Sequence, residues 1–354
     1  MERCKACILP RSYAAVRFDA GGVCNLCAEF PAARDQERAV LEGRKGELAE
    51  IVASVRGEAR DYDCIVLLSG GLDSTYVAYV LRKEFKLKLL GLNVDNGYRT
   101  SLALENMERI CSKLEMDMVT LKPSPGLYRD MFAHFLRTHG YFCTVCNAFG
   151  YMILGSFVAR EARRRGVKPL VVGGWSRKYE YQPGLSVLSV KSFADALQEK
   201  PELCARARNC ALVEPAVYDA FSAVADIRQI ASASRDTAGF ALRLIQLPSY
   251  MDWDYRRIVS TLENELGWKK REKGHQAHFD CSLAPVQEYL KHRKFGFSQE
   301  TIKNSVLIRE GRLTRQEALA KIGLEQTAEP PELAQTISQW GLDREQISWD
   351  AEWR

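Results

Sequence analysis

The sequence predicts an α/β fold: a doubly wound parallel sheet, a cysteine-rich segment ahead of it and a mostly helical C-terminal region behind. Three observations carry this expectation. Short apolar runs alternate with amphipathic stretches between residue 61 and about residue 172, the rhythm of parallel strands joined by crossover helices. Four cysteines fall in two CxxC pairs within the first 27 residues. Beyond residue 240 the apolar positions recur mainly at helical spacing.

The totals fit this outline. A chain of 354 residues has room for two domains, or for one large domain with appendages. Its apolar fraction of 46% and charged fraction of 27% are those of a globular protein. A net charge of +5 over this length suits anionic small molecules and does not by itself argue for nucleic acid. No apolar run reaches signal-peptide length or the roughly 18 residues of a membrane span. The expected location is therefore the cytoplasm, where eleven cysteines point to metal before disulfides.

Residues 1–32 read as a zinc-ribbon-like metal-binding segment. Cys4, Cys7, Cys24 and Cys27 make C-x2-C-x16-C-x2-C, a spacing that suits tetrahedral Zn²⁺ with all four positions filled, hence a structural ion. So short a segment buries little core without metal. Four free thiols are the rival reading. A nucleic-acid ribbon would want more than the three basic residues Arg3, Lys5 and Arg11 that precede Arg17. Residues 33–60 are charged, with apolar positions at helical spacing, and predict a linking helix.

Residues 61–240 are expected to hold the sheet. "DCIVLL" is a strand, "DSTYVAYVLRKEF" a helix with Asp73 and Ser74 placed to cap it, and "LKLLGLNVD" a second strand. "TSLALENMERICSKL" is a helix and "MDMVTLK" a third strand; helices near 126–138 and 147–165 follow, and "KPLVVGG" is a fourth strand. Residues 241–354 form the helical C-terminal region, including "PSYMDWDYRRIVSTLENELGW" and "TRQEALAKIGL".

The chemistry concentrates in "LLSGGLDSTY". A glycine turn between a strand and a helix N-terminus points backbone amides at an anion, and Gly70 and Gly71 permit close approach. Ser69, Ser74 and Thr75 add hydroxyls. Asp73 is a poor phosphate contact on its own and works better through Mg²⁺. The turn is neither G-x-x-x-x-G-K-S/T nor G-x-G-x-x-G, which disfavours a Walker-type NTPase and a dinucleotide site. The bland alternative is an ordinary strand–helix turn with Asp73 as a cap.

A second CxxC, Cys143 and Cys146, precedes a helix starting near Asn147, whose N-terminus is expected to lower the thiol pKa values. The pair reads as buried structural cysteines, as a second metal or iron–sulfur site, or as a redox or sulfur-carrying pair. Cys281 is the best third ligand, since His275, His278 and Asp280 crowd the same stretch. Cys204 and Cys210 are expected on an exposed helix, and Cys64 and Cys111 in the core.

"SGGLDS" resembles the pyrophosphate loop of the N-type ATP pyrophosphatases, the PP-loop proteins of adenine nucleotide alpha hydrolase type, which split ATP into AMP and pyrophosphate. The resemblance implies that Ser69, Gly70, Gly71, Asp73, Ser74 and Thr75 hold pyrophosphate and Mg²⁺. It places Leu92, Asn93 and Val94 near adenine, Asp95 near ribose, and Gly173 and Gly174 along the nucleotide. The segments "ERCKACILP…FDAGGVCNLC", "YDCIVLLSGGLDSTY", "FCTVCN" and "LKHRKFGFSQETIKNSVLIREGRLTRQEALAKI" further resemble N-acetyl sugar amidotransferases. That likeness implies an acetamido group converted to an acetamidino group on a nucleotide-linked sugar, with ammonia from a partner glutaminase and no role for a membrane. Asp73, Ser74, Cys143 and Cys146 are the catalytic candidates. Relatives that thiolate tRNA bases pair such a loop with a CxxC and a distant third cysteine, so a sulfurtransferase carrying a 4Fe–4S cluster on Cys143, Cys146 and Cys281 stays open, as does a non-catalytic nucleotide-sensing module. Only under tRNA thiolation is nucleic acid a partner.

Overall fold

A computed structural model of the chain describes residues 2–13, 16–173, 200–213, 242–271, 279–325 and 328–349. Five parallel strands, β1 (Cys64–Leu67), β2 (Leu89–Val94), β3 (Asp117–Leu121), β4 (Pro169–Val172) and β5 (Arg243–Gln246), lie in the order β3-β2-β1-β4-β5. β1 is central, pairing Cys64 with Leu89 on one side and Ile65 with Leu170 on the other. Residue alternation feeds two core layers. Cys64, Val66 and Leu89 face one, while Ile65, Leu90 and Leu92 face the other with Phe157, Val158 and Ala162. Helices on both faces explain why β1 and β2 are apolar throughout.

The strand order reverses beside β1, the switch point at which open α/β sheets form their ligand crevice. α2 (Leu72–Tyr79) leaves β1 through the glycine turn and continues as a π-turn, Val80–Glu84. α3 (Ser101–Leu114) is capped by Thr100, whose hydroxyl accepts from the Ala103 amide. α4 (Pro125–His139) ends at Gly140 in the left-handed region, φ 64°. A single turn, α5 (Cys143–Val145), runs through a π-turn, Cys146–Gly150, into α6 (Tyr151–Arg165). The helix expected from residue 147 therefore begins with a π-turn that carries Cys146.

β5 lies past residue 240, in the region expected to be helical. Its four residues "RLIQ" are too short for periodicity to assign, and only pairing with β4 makes them a strand. The segment after it is no separate module either: Trp253, Ile258, Leu262 and Trp268 share a core with Val66, Tyr76 and Met107.

α1 (Asn25–Val55) starts directly after Cys24. The cysteine segment ahead of it packs on the C-terminal helices. Tyr13 meets Phe297 edge-on at 5.2 Å, and Leu9, Val16 and Leu26 share a cluster with Phe297 and Ile302. Arg315 Nε donates to the carbonyls of Cys4 (3.2 Å) and Cys7 (2.9 Å). The two ends of the chain thus form one packed unit.

The last described residues dock on the body. Trp340 packs on Phe142 (5.0 Å) and donates to the Tyr98 hydroxyl (2.9 Å). Trp349 lies between the guanidinium groups of Arg293 (4.6 Å) and Arg344 (5.0 Å). No helix among the described residues is long and apolar enough to cross a membrane. Gly174, most of 175–240, His275, His278 and Trp353 lie outside the described residues.

Candidate nucleotide site and cysteine clusters

The glycine turn sits at the C-terminal edge of β1, and its shape is enforced from below. Gly70 has φ +76°, and a Cβ there would stand 2.3 Å from the Ala103 carbonyl oxygen. The Gly70 carbonyl accepts from Trp268 Nε1 (3.0 Å) and Asn106 Nδ2 (3.4 Å). Gly70→Ala must push α3 away from the turn and hold a left-handed residue. We expect it to cost about 3 kcal/mol and at least tenfold in ATP affinity, read by thermal melting and nucleotide titration. Normal values for both would show that the turn tolerates a side chain.

Ser69 and Ser74 are held together, with hydroxyls 3.3 Å apart; the Ser69 amide donates to Ser74 Oγ (3.2 Å) and the Gly71 amide to Ser69 Oγ (3.3 Å). The helix cap is Gly71, with no side-chain bond, so Asp73 and Ser74 do not cap α2 as expected. They lie in its first turn because the glycine turn is one residue tighter. Asp73 Oδ1 accepts from Trp253 Nε1 (2.9 Å), which fixes the carboxylate. Thr75 is fully buried and its hydroxyl donates to the Gly71 carbonyl (2.6 Å). It braces the turn from beneath and does not line the anion site, contrary to the sequence reading. A Cβ on Gly173 would lie 2.7 Å from the Asp73 carbonyl oxygen, so the end of β4 abuts the turn closely.

At the end of β2, Asn93 is buried and its Nδ2 has no hydrogen-bond partner among the described residues. Asp95 is half-buried; Oδ1 accepts from the Gly97 amide (2.9 Å) and Oδ2 lies 3.4 Å from Lys122 Nζ. The loop 98–100 pairs with the C-terminal region. Arg99 bridges to Cys281, Ser282 donates its amide to the Tyr98 carbonyl, and Thr100 Oγ1 donates to the Phe279 carbonyl. Asp280 thereby reaches the glycine turn, its Cγ 3.9 Å from where a Gly71 Cβ would be. It forms an ion pair with Arg99 at 2.7 Å. The C-terminal region completes the site.

The N-terminal four cysteines offer sulfurs all within 4.8 Å of one another. Cys4 to Cys27 is 3.9 Å and Cys7 to Cys24 3.8 Å, close to the edge of a tetrahedron of thiolates about 2.3 Å from a central ion. Without an ion the thiols cannot all ionise. Hydrogen bonds from Cys24 and Cys27 hold Cys7 down, while Cys27 is pushed up by its bond to Cys24. Such a set fits a structural metal.

Cys143, Cys146 and Cys281 pack on one core cluster, where Cys146 and Cys281 oppose ionisation of Cys143 and Cys281 opposes that of Cys146. The expected lowering by a helix N-terminus does not hold. Burial, and then the neighbouring sulfurs, raise Cys143 well above the ordinary thiol range; burial and Cys281 push Cys146 to about 12, and burial chiefly pushes Cys281 to about 11. The cause is burial, the largest influence on all three thiols. Among the described residues these three do not close to 4.8 Å as the N-terminal four do. Cys204 and Cys210 are half-buried against the same core and not on an exposed face. Cys64 is buried in β1, and Cys111 meets Met118 sulfur to sulfur at 4.0 Å.

Residues 63–125 match the family of the queuosine biosynthesis protein QueC, and residues 273–348 match the LPS biosynthesis protein WbpG-like C-terminal domain. One chain thus carries a QueC-like PP-loop segment and a WbpG-like C-terminal segment. It is 27% identical over 215 residues to an uncharacterized protein of Methanocaldococcus jannaschii, covering 55% of this chain and 75% of that protein. It is 34% identical over 82 residues to the 7-cyano-7-deazaguanine synthase of Leptospira biflexa, covering 22% and 33%. With the tRNA-specific 2-thiouridylase MnmA of Chlamydia pneumoniae it shares 31% over 83 residues, covering 21% and 23%. Among solved structures, the tRNA thiolase NcsA of Methanococcus maripaludis with its 4Fe–4S cluster aligns at TM-score 0.34 and 12% identity, covering 94% and 92%. The NH3-dependent NAD synthetase of Campylobacter jejuni aligns at 0.30 and 12%, covering 68% and 99%.

Sequence reasoning missed Arg99, Trp253 and Trp268, and gave Asp280 no role beside the turn. Arg99 follows "VDNGY" directly, so its place at the end of β2 was the available signal.

Proposed function

We propose that the protein is an ATP-dependent amidotransferase acting on a nucleotide-linked N-acetyl sugar. The observation that carries this reading is the docking of a WbpG-like C-terminal segment onto the PP-loop, which brings Asp280 within reach of Gly71. An amide oxygen is a poor leaving group. Here it attacks the α-phosphorus of ATP, the bond from that phosphorus to the bridging oxygen breaks, and pyrophosphate departs with the electron pair. Ammonia then adds to the imidate carbon, the C–O bond to AMP breaks, and loss of a proton leaves an amidine.

The protein's part is positioning and charge stabilisation. Amides of Gly70 and Gly71, with the Ser69 and Ser74 hydroxyls, receive the β- and γ-phosphates. Asp73 would hold Mg²⁺, which neutralises phosphate charge when bound. Cys4, Cys7, Cys24 and Cys27 would hold a structural Zn²⁺. In this reading the ammonia comes from a partner glutaminase.

The convergence of Cys143, Cys146 and Cys281 supports a second reading, in which sulfur replaces ammonia. One assay separates the two: pyrophosphate release from ATP with nucleotide-linked N-acetyl sugars, in the presence of ammonia or of sulfide. Release that requires the sugar and ammonia supports amidination; release that requires sulfide and a tRNA overturns it. Cys143→Ser is expected to leave one tightly held metal per chain at the N-terminal four, checked by elemental analysis. Loss of all metal would mean that the two cysteine sets are one site.

A further inference from the structure

Two buried donors, Asn93 Nδ2 at the end of β2 and Arg99 Nε in the loop after it, have no hydrogen-bond partner among the described residues. Asn93 is 2% exposed, and a buried amide N–H left unpaired is destabilising. Arg99 is held from its other end. Nη1 pairs with Asp280 at 2.7 Å, and Nη2 faces the Asn93 side-chain oxygen and the Val94 carbonyl, each at 3.4 Å. Bidentate contact with Asp280 would satisfy more of the guanidinium; one oxygen at one nitrogen leaves the Nε edge open. Folding alone gives no reason to bury both donors side by side.

Their place narrows what fills them. Asp280 borders the glycine turn at Gly71, and Arg99 stands between that turn and the end of β2. A nucleotide whose pyrophosphate end lies in the turn and whose base lies over β2 must span this gap with its α-phosphate. The Arg99 charge also extends to Cys146 and Cys281, where it opposes the upward push of burial. It is the cation shared by the nucleotide edge and the thiol pocket.

We propose that Arg99 and Asn93 form a donor pair for an α-phosphoryl oxygen of the bound nucleotide, where charge builds as pyrophosphate leaves and AMP is carried to the acceptor. This rests on the PP-loop assignment and adds a contact outside the loop. Arg99 is a planar fork on a short tether, suited to phosphate oxygens in a way that a lysine ammonium is not. The pair meets the nucleotide from the β2 side while the loop meets it from the β1 side.

The test is calorimetric titration of the full chain with AMP and, separately, with pyrophosphate and Mg²⁺. Arg99→Met is expected to bind AMP at least tenfold more weakly and pyrophosphate within twofold of wild type. Asn93→Leu, close in volume, removes the orphan donor; it should melt no lower than wild type and still lose AMP affinity at least tenfold. If Arg99→Met fails to fold, Asn93→Leu decides the matter alone. Undiminished AMP affinity in a folded Asn93→Leu overturns the pairing, as does a large drop in its melting temperature, which would make Asn93 a structural group. Wild-type chain that takes up neither AMP nor pyrophosphate overturns the PP-loop reading together with this one, whereas uptake by wild type and variants alike overturns this one only.

Discussion

Asp73→Ala is expected to lower pyrophosphate release at least a thousandfold while the protein stays folded. The carboxylate is half-buried in the first turn of α2, beside the amides of the glycine turn. The carboxylate accepts a hydrogen bond from Trp253 Nε1 at 2.9 Å. Removing it forfeits roughly 1 kcal/mol of stability, a shift of a few degrees in melting. Removing the group that would hold Mg²⁺ against the phosphates acts on the transition state, where the same change is worth about 3–5 kcal/mol. The two effects part cleanly: turnover collapses, and melting barely moves. Asp73→Asn should fall nearly as far, since the shape survives and the charge does not. Turnover within tenfold of wild type in either variant would remove Asp73 from the phosphate site.

What was legible in the sequence follows from how local each cause is. The glycine turn and its strand–helix setting lie within a dozen residues, and the four N-terminal cysteines lie within 24. Short-range chemistry of that kind shows in spacing alone. Trp253 reaches Asp73 across 180 positions, Trp268 reaches Gly70 across 198, and Asp280 reaches Arg99 across 181. No periodicity encodes such pairs, because what joins them is the packing of 250–271 and 279–284 onto the sheet and its loops. β5 escaped notice for the same reason: four residues become a strand only beside β4. The thiol ionisation at Cys143 was misread from a true local fact, a helix following the pair. Burial outweighs the dipole there.

The second large effect is expected at the opposite end of the molecule. Cys7→Ser should lose about one metal per chain and lower the melting temperature by roughly 10 °C or more, because a structural ion supplies several kcal/mol that residues 2–24 cannot recover by packing. The damage should not stop at the N-terminal segment. Arg315 is anchored on the Cys4 and Cys7 carbonyls, Ser12 donates to the Phe295 carbonyl at 2.8 Å, and Tyr13 seats Phe297. The helix Ala284–Phe295 runs from that contact back to the Asp280–Cys281 bridge at the nucleotide edge. Its 12 residues span about 18 Å. Limited proteolysis of the variant should therefore open 284–325 along with the N-terminus, and pyrophosphate release should fall with it. Asp73→Ala severs chemistry from folding, whereas Cys7→Ser couples them, so the two variants test separate halves of the same architecture. A Cys7→Ser protein with full metal content and an unchanged melting curve would show that the four sulfurs are close without being bound.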